Sequence, residues 1–283
     1  MIDMNSPLDD QGPFDLILHK VTVLYAQALN NNDKAANAIN MFENYIKKHP
    51  ETFVMDPLPG VHKLLLRNQT YELLHQRFRY DVCKPVTGGG GVEAHEMAVV
   101  FNEMGLSEFR LPCVAQSFIN HGAVLYKLFV LGPVWFVIVR PSLKNFYAGE
   151  QETVYFNSSN VSKADSRSPL TQLDPGDMED ELPKADPAVF NRIVTNLREA
   201  LNMDLLGIDV VIDSNTGKYG IIDVNAFPSY DSVPNLMEHL VDLLVMRMDH
   251  PAPESIKQTP EDKKIPTFTT CDHPQEDSGV DTG

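Results

Sequence analysis

Residues 207–230 have the sequence GIDVVIDSNTGKYGIIDVNAFPSY, which predicts a β-hairpin. Two apolar, β-branched runs flank the polar turn sequence SNTGK. Asp209 lies seven residues before Thr216, and Asp223 lies seven residues after it. A turn centred near Thr216 therefore places the two carboxylates opposite each other on neighbouring strands, roughly 5 Å apart.

A third oxygen-bearing side chain belongs to the same group. Asn225 follows Asp223 by two residues, so the strand period puts both side chains on one face of the sheet. Two like charges at opposed positions destabilise a sheet unless a counter-charge neutralises them. A few oxygen ligands of this kind suit Mg²⁺ completed by water and phosphate. We therefore predict that Asp209, Asp223 and Asn225 bind metal; the alternative is that one carboxylate faces solvent and the pair is incidental.

The preceding part of the chain contains a second hairpin pattern. Val124–Val130 and Val134–Arg140 alternate on either side of a Gly-Pro turn, which predicts two antiparallel strands. The polar segment 150–185 has no sustained period and predicts a long loop. Amphipathic periods predict helices on both sides of the 207–230 hairpin, at Ala188–Leu201 and Ser232–Met248.

The first 79 residues alternate between strand and helix patterns. Short apolar runs predict strands, and longer periodic runs predict helices, the first of them with Asp33 as a possible N-cap. Strand and helix in alternation indicate a small parallel α/β lobe. The predicted elements are strand Asp15–Lys20, helix Asp33–Lys48, strand Thr52–Met55 and helix Val61–Phe78.

A glycine run and several basic residues follow this lobe. Gly88–Gly91 comes after a predicted strand and before a predicted helix start, a place where backbone N–H groups can approach phosphate. By itself the run is equally consistent with a flexible surface turn. The basic residues on or beside the predicted strands point towards a phosphate-bearing ligand, because buried lysines are rare without an anionic partner. They are Lys84, His95, Lys127, Arg140 and Lys144.

Composition limits the class of protein. The chain has 283 residues, of which 43% are hydrophobic and 22% charged, as in soluble globular proteins. Its net charge of −16 argues against a broad nucleic-acid surface. No apolar run is long enough to span a bilayer, and the acidic N-terminus is no secretory signal. Three cysteines without CxxC spacing indicate free thiols. We expect a cytoplasmic protein with no nucleic-acid or membrane partner.

Several long segments resemble the inositol 1,3,4-trisphosphate 5/6-kinase family, also called inositol-tetrakisphosphate 1-kinases. They are QGPFDLILHK, HPETFVMDPLP, AHEMAVVF, QSFINHGAVLYKLFV, RPSLKNF, FNSSNVSK and the 207–230 hairpin, in order through residues 10–245. The resemblance implies an ATP-grasp fold of α/β class, in which α+β lobes hold ATP between their sheets. It implies transfer of the ATP γ-phosphoryl group to a ring hydroxyl of an inositol trisphosphate or tetrakisphosphate. ATP and two Mg²⁺ ions are expected as ligands, and a monomer as the assembly.

The resemblance also implies individual site residues, by matching position. Metal and catalysis fall on the predicted trio Asp209, Asp223 and Asn225 together with Lys127. The implied ATP contacts are Arg67, Lys84, the segment Gln116–Lys127, Ser142, Ser158 and Ser162. Within that segment Gln116, Ser117, Phe118 and Ile119 are implied to form the hinge that faces adenine. The implied or expected inositol phosphate contacts are His95, Lys127, Asn225, Lys20 and Ser229.

The chain also departs from the family pattern. The family has a further strand–helix unit before the segment that matches residues 5–20, and more structure before the strand leading to Lys84. Ser229 stands where the family has glycine, and its side chain could crowd a substrate. These differences suggest a shortened form and leave two alternatives: a member that binds ATP or inositol phosphate without turnover, and an ATP-grasp carboxylate–amine ligase, against which RPSLKNF weighs. The predicted units are a reduced N-terminal lobe, 1–79; a central lobe, 80–145; a C-terminal lobe with the metal site, 146–249; and a disordered tail, 250–283.

Overall fold

A computed structural model describes residues 1–74, 81–86, 92–102, 105, 106, 109, 112–147, 149, 151–163, 165–178 and 182–249. The glycine run Gly88–Gly91 and the predicted tail 250–283 lie outside the described residues. The helices with described bounds, α1 to α7, are Thr22–Leu29, Asp33–Lys48, Leu58–Leu65, Arg67–Leu74, Ser158–Val161, Pro187–Leu201 and Leu236–Asp249. The strands, β1 to β10, are Leu16–Leu18, Phe53–Met55, Asp81–Pro85, Glu96–Val100, Cys113–Ser117, Val124–Leu131, Val134–Pro141, Val154–Asn157, Leu205–Ile212 and Tyr219–Ala226.

The N-terminal part contains the predicted parallel strand pair. β1 and β2 pair in parallel, and α2 buries an apolar face of Ala35, Ala38, Ile39, Phe42 and Tyr45. The N-cap of α2 is Asn32, whose side chain accepts a hydrogen bond from the backbone N–H of Ala35 at 3.2 Å. The prediction of Asp33 as N-cap was wrong by one residue, because either side chain can cap a helix and only the backbone conformation decides between them.

The helix predicted over Val61–Phe78 is interrupted. α3 ends at Leu65, Leu66 is extended, and α4 begins at Arg67. The break lets the Arg67 backbone N–H donate a hydrogen bond to the Val86 carbonyl at 2.8 Å. The Arg67 guanidinium donates to the Pro85 carbonyl, also at 2.8 Å. Tertiary hydrogen bonds therefore replace one turn of helix, which an apolar period cannot reveal. Residues 75–78 of the predicted helix lie outside the described part.

One of the two four-stranded sheets is antiparallel, has the strand order β10-β9-β6-β7 and contains both predicted hairpins. It is covered on both faces. Leu128 and Val130 of β6 pack in one cluster with α6, whereas Phe129 and Leu131 pack in a second cluster with α7. Burial on both faces explains the nearly unbroken apolar sequence of β9, in which Asp209 is the one residue that is not fully buried.

The other four-stranded sheet has the order β5-β3-β4-β8 and departs from two predictions. Where a helix start was predicted after the glycine run, Val92–His95 forms one 3₁₀ turn and β4 follows. The predicted loop 150–185 contains β8, which pairs with β4, and the short helix α5, capped by the Asn157 side chain. Short apolar runs do not distinguish strand from helix, and β8 owes its structure to its partner strand.

Each four-stranded sheet takes strands from both sides of position 145. β6 and β7 share one sheet with β9 and β10, through the pairing of β6 with β9, whereas β8 returns to the sheet of β3, β4 and β5. The sheets thus do not follow the predicted division at 145/146, and the lobe boundaries remain predictions. Among the helices in the described part of the chain, none combines the length and the apolar character needed to cross a membrane.

Candidate active site

A cavity of about 480 Å³ lies between the two four-stranded sheets and is lined by residues of both. The predicted site residues that line it are Arg67, Lys84, His95, Gln116, Ser117, Phe118, Ile119, Lys127, Ser142, Ser158, Ser162, Asp209, Asp223, Asn225 and Ser229. Lys20 and Lys144, which were also expected near a phosphate-bearing ligand, are not among its lining residues. The Lys20 ammonium lies 5.7 Å from the centre of the Phe227 ring, and the Lys144 ammonium pairs with Asp174 at 2.8 Å.

The predicted carboxylate pair is present in the sheet. Asp209 on β9 is directly opposite Asp223 on β10, and Lys127 on β6 is directly opposite Asp209. The three residues form one row across the sheet, and the Lys127 ammonium lies 2.7 Å from Asp209 Oδ1. The Asn225 side-chain N–H₂ donates to Asp223 Oδ2 at 3.1 Å, so the predicted trio is held together on one face.

A β-bulge at Ile222 makes this row possible. The hairpin begins with Tyr219 opposite Ile212, and the register shifts between Ile221 and Asp223. Without the extra residue, Ile222 would oppose Asp209, and the Asp223 side chain would project from the other face. The symmetric spacing about Thr216 thus predicted the correct pair, although it contains no information about the bulge.

The bulge also connects the two sheets. Lys84 on β3 is buried, and its ammonium donates to the Ile222 carbonyl at 2.9 Å and to the Gln116 side-chain oxygen at 2.6 Å. Burial lowers the pKa of Lys84 to about 8, against the opposing influence of the nearby Asp223 carboxylate. At neutral pH most of the molecules therefore carry a positive charge at this point of the cavity.

Asp223 is held in its ionised form. Burial raises the pKa of this carboxyl group, but the neighbouring cations Arg67, Lys84 and Lys127 outweigh burial, and its pKa lies below the usual range. The Asn225 hydrogen bond acts in the same direction. The carboxylate is thus charged near neutral pH and available to a cation.

The side-chain oxygen atoms of Asp209, Asp223 and Asn225 fit a Mg²⁺ ion. Within the described ranges, no three His, Cys, Asp or Glu side chains converge in a way that could hold a metal ion. The trio instead combines two carboxylates with one amide, all hard oxygen ligands, and the cavity leaves room for phosphate and water. Sulfur and imidazole, which favour zinc, are not among these three donors.

His95 and Ser158 lie next to each other in the lining of the cavity. His95 Nδ1 lies 3.1 Å from the Ser158 hydroxyl oxygen. Burial, reinforced by the Arg67 charge, lowers the pKa of His95 below its ordinary value. The imidazole is therefore neutral at pH 7 unless an anionic ligand raises its pKa.

Some lining residues were not predicted as site residues. The sequence indicates Arg140 only as one of several basic residues. Its guanidinium contacts the Ser162 carbonyl at 3.5 Å and the Asp231 carboxylate at 3.8 Å. Lys163 lies within the FNSSNVSK segment that supplied Ser158 and Ser162, and its neighbours could have indicated it. His121 lies within the segment Gln116–Lys127 that the resemblance implies for ATP contact, but its burial was not predicted, because a histidine in a turn-like segment gives no sign of burial. Apart from Leu125, which lies in the predicted segment Gln116–Lys127, the apolar lining was not predicted; it consists of Val82, Met97, Leu143, Phe156, Val161, Val211 and Ile222.

Comparisons with known proteins assign almost all of the described chain. Residues 1–61 match the model of the inositol 1,3,4-trisphosphate 5/6-kinase pre-ATP-grasp domain, and residues 68–246 match the model of the ATP-grasp domain of the same family. An inositol-tetrakisphosphate 1-kinase of Xenopus laevis is 37% identical over 298 aligned positions, which cover 91% of this chain and 74% of the relative. One of Danio rerio is 36% identical over 276 positions, covering 85% and 69%. Inositol-tetrakisphosphate 1-kinase 2 of Glycine max is 29% identical over 280 positions, covering 86% and 84%.

Proposed function

The chain belongs to the inositol 1,3,4-trisphosphate 5/6-kinase family, which has an ATP-grasp fold, and on this basis we propose that it is a Mg²⁺-dependent inositol polyphosphate kinase. It transfers the γ-phosphoryl group of ATP to a ring hydroxyl of an inositol trisphosphate or tetrakisphosphate. The main structural support is the row Lys127–Asp209–Asp223, with Asn225 beside it, in the cavity between the two sheets.

Asp209, Asp223 and Asn225 would hold the magnesium, and two ions are part of the proposal. Mg²⁺ held there would supply positive charge against the phosphates of ATP. The protein's own contribution is to keep Asp223 ionised and to fix the trio through the bulge and the Asn225 hydrogen bond. Fixed charges of this kind need no rearrangement during the reaction.

The basic residues of the cavity would bind the two polyanionic reactants. Lys127 pairs with Asp209 in this row and Lys84 contacts the adjacent bulge, so both would offset negative charge from ATP and from the inositol phosphate. Arg67 is buried and lines the same cavity. His95 and Ser229 line the cavity, and in this proposal His95 would donate to a substrate phosphate. Phosphoryl transfer depends mainly on such positioning and neutralisation, so we assign no general base.

A first experiment separates turnover from binding. Purified chain is incubated with ATP, Mg²⁺ and either inositol 1,3,4-trisphosphate or inositol 3,4,5,6-tetrakisphosphate, and the products are separated by anion-exchange chromatography. A product with one more phosphate, absent without Mg²⁺, supports the proposal. A thermal shift with ATP but no product from either substrate would favour the binding-only alternative. The predicted monomeric state and cytoplasmic location remain predictions.

A further inference from the structure

His121 lies in the segment between β5 and β6, where the chain passes from one four-stranded sheet to the other. Its imidazole is only 5% exposed. The ring contacts two oxygen atoms: Nδ1 lies 2.5 Å from the Ile119 carbonyl oxygen, and Nε2 lies 2.7 Å from the Ser142 hydroxyl oxygen. Both partners line the cavity.

The chemistry of these groups fixes the direction of both hydrogen bonds. A carbonyl oxygen can only accept, so Nδ1 carries a hydrogen and donates to Ile119. Burial lowers the pKa of His121 to about 4, even though the Ile119 carbonyl acts in the opposite direction, so the ring is neutral. A neutral ring protonated at Nδ1 has a lone pair at Nε2, which accepts the hydrogen of the Ser142 hydroxyl.

This direction restricts what Ser142 can bind. A hydroxyl group has one hydrogen and two lone pairs. Because the hydrogen points to His121, Ser142 Oγ can offer the cavity only lone pairs. It can accept a hydrogen bond from a ligand N–H or O–H group, but it cannot donate to a phosphate oxygen.

The position of Ser142 agrees with this restriction. Ser142 directly follows β7, whose last residue, Pro141, pairs with Val124 at the start of β6. Lys127 lies three residues further along β6, roughly 10 Å away at the rise of a strand, in the carboxylate row. Ser142 is therefore at the end of the cavity next to Ile119, to which His121 connects it, and away from the residues that would hold the terminal phosphates.

We propose that His121 is a positioning residue, which turns the Ser142 hydroxyl into a hydrogen-bond acceptor for the nucleoside part of the nucleotide. The hydrogen-bond donor is either a sugar hydroxyl or the exocyclic amine of the base, since each carries a hydrogen that Ser142 Oγ can accept. The inference rests on the proposed function in one respect, that the ligand of this end of the cavity is a nucleotide.

Binding constants measured by calorimetry with Mg²⁺ test the acceptor role. The ligands are ATP, 2′-deoxy-ATP, 3′-deoxy-ATP and purine riboside triphosphate, which lacks the exocyclic amine. We expect one of the analogues to bind the wild-type chain about fivefold more weakly than ATP, the value of one hydrogen bond. In Ser142→Ala this penalty disappears. The analogue that shows it identifies the donor as sugar or base. Equal binding of all four ligands, or a penalty that persists in Ser142→Ala, overturns the proposal.

His121→Asn tests the positioning role. Asparagine keeps a side-chain N–H that can reach Ile119 but has no group at the place of Nε2, so the Ser142 hydroxyl can turn. We expect the analogue penalty to shrink in His121→Asn, and an unchanged penalty rules out positioning by His121. A second measurement needs no variant: ¹⁵N spectra of the wild-type imidazole, assigned through the backbone, show neutral His121 with hydrogen on Nδ1 at pH 7. A hydrogen on Nε2 at that pH overturns the proposal.

These outcomes are distinct from a failure of the proposed function. A chain that binds ATP but makes no product contradicts the kinase proposal, and the binding constants still decide the role of His121. If turnover is normal but no analogue shows a binding penalty that disappears in Ser142→Ala, only the inference on His121 is contradicted. A chain that does not bind ATP contradicts both.

Discussion

The Lys84 ammonium on β3 donates a hydrogen bond to the carbonyl of Ile222, 2.9 Å away in the bulge of β10, and thereby joins the two sheets of the cavity. The residue at which the register of the hairpin shifts thus accepts a hydrogen bond from a buried ammonium group on the other sheet. A bulge leaves backbone groups outside the ladder, and Lys84 satisfies one of them.

The first prediction concerns the pH dependence of this lysine. Burial lowers the pKa of Lys84 to about 8, so the positive charge is lost as the pH rises through that value. We expect kcat/KM for ATP to fall above about pH 8, because this parameter reports ionisation in the free enzyme. In Lys84→Arg the guanidinium stays charged, and the alkaline decline should be absent or shifted upward. If kcat/KM falls at the same alkaline pH in Lys84→Arg, the ionisation responsible belongs to another group.

The second prediction concerns the metal ligands. Asp223→Ala removes a carboxylate that the surrounding cations keep ionised. Turnover at saturating ATP should fall about 1,000-fold, the scale of losing a major electrostatic contact in the transition state. Asp242→Ala, on the exposed face of α7, is the matched control and should keep the wild-type rate. Normal turnover of Asp223→Ala would show that the metal assignment is wrong.

The third prediction compares two lysines that were both expected to contact inositol phosphate. Lys127 lines the cavity and pairs with Asp209, whereas Lys20 lies over the Phe227 ring and is not among the lining residues. Lys127→Ala should lower kcat/KM for the inositol phosphate about 100-fold, the range for charge-assisted hydrogen bonds. Lys20→Ala should change it less than about threefold, as expected for an isolated surface charge. A large effect of Lys20→Ala would place that side chain at the substrate.

The fourth prediction concerns stability. Asp56 is buried, and its carboxylate accepts from the backbone N–H groups of Asp204 at 2.7 Å and Leu205 at 3.1 Å. Burial nonetheless raises the pKa of Asp56 to about 7. Between about pH 4 and pH 7 the folded chain then binds more protons here than the unfolded chain, so the free energy of unfolding falls as the pH rises.

Urea unfolding of wild type and Asp56→Asn at several pH values isolates this contribution. The wild type should lose stability relative to Asp56→Asn between pH 4 and pH 7, and the difference should stay constant above about pH 8. One pKa unit corresponds to about 1.4 kcal/mol. A difference that does not vary with pH would mean that the hydrogen bonds from Asp204 and Leu205 keep the pKa of Asp56 at its ordinary value.

The sequence contained enough information for the carboxylate pair, because strand period and turn position are local properties. Spacing about Thr216 placed Asp209 opposite Asp223, and the β6–β7 hairpin followed from alternation in the same way. The resemblance then supplied residues such as Gln116 and Ser142 that spacing alone could not indicate. Their binding roles still depend on experiments with ligands.

The features that were missed depend on contacts between distant segments. The helix break at Leu66 is stabilised by hydrogen bonds from Arg67 to residues about twenty positions away. The strand β8 forms because β4 offers an edge, and its own sequence is too short to specify it. The bulge at Ile222 is fixed by a lysine on another sheet. His121 is buried only because the chain folds back between the sheets.

The return of β8 to the sheet of β3, β4 and β5 has a consequence for fragments of the chain. A single backbone cut between Pro141 and Val154 would give one piece with β6 and β7 but without β9, and another with β8 but without β4. Neither piece holds a complete four-stranded sheet. Protease nicking in this connection should therefore yield two fragments that stay associated, and neither half should fold when it is expressed alone.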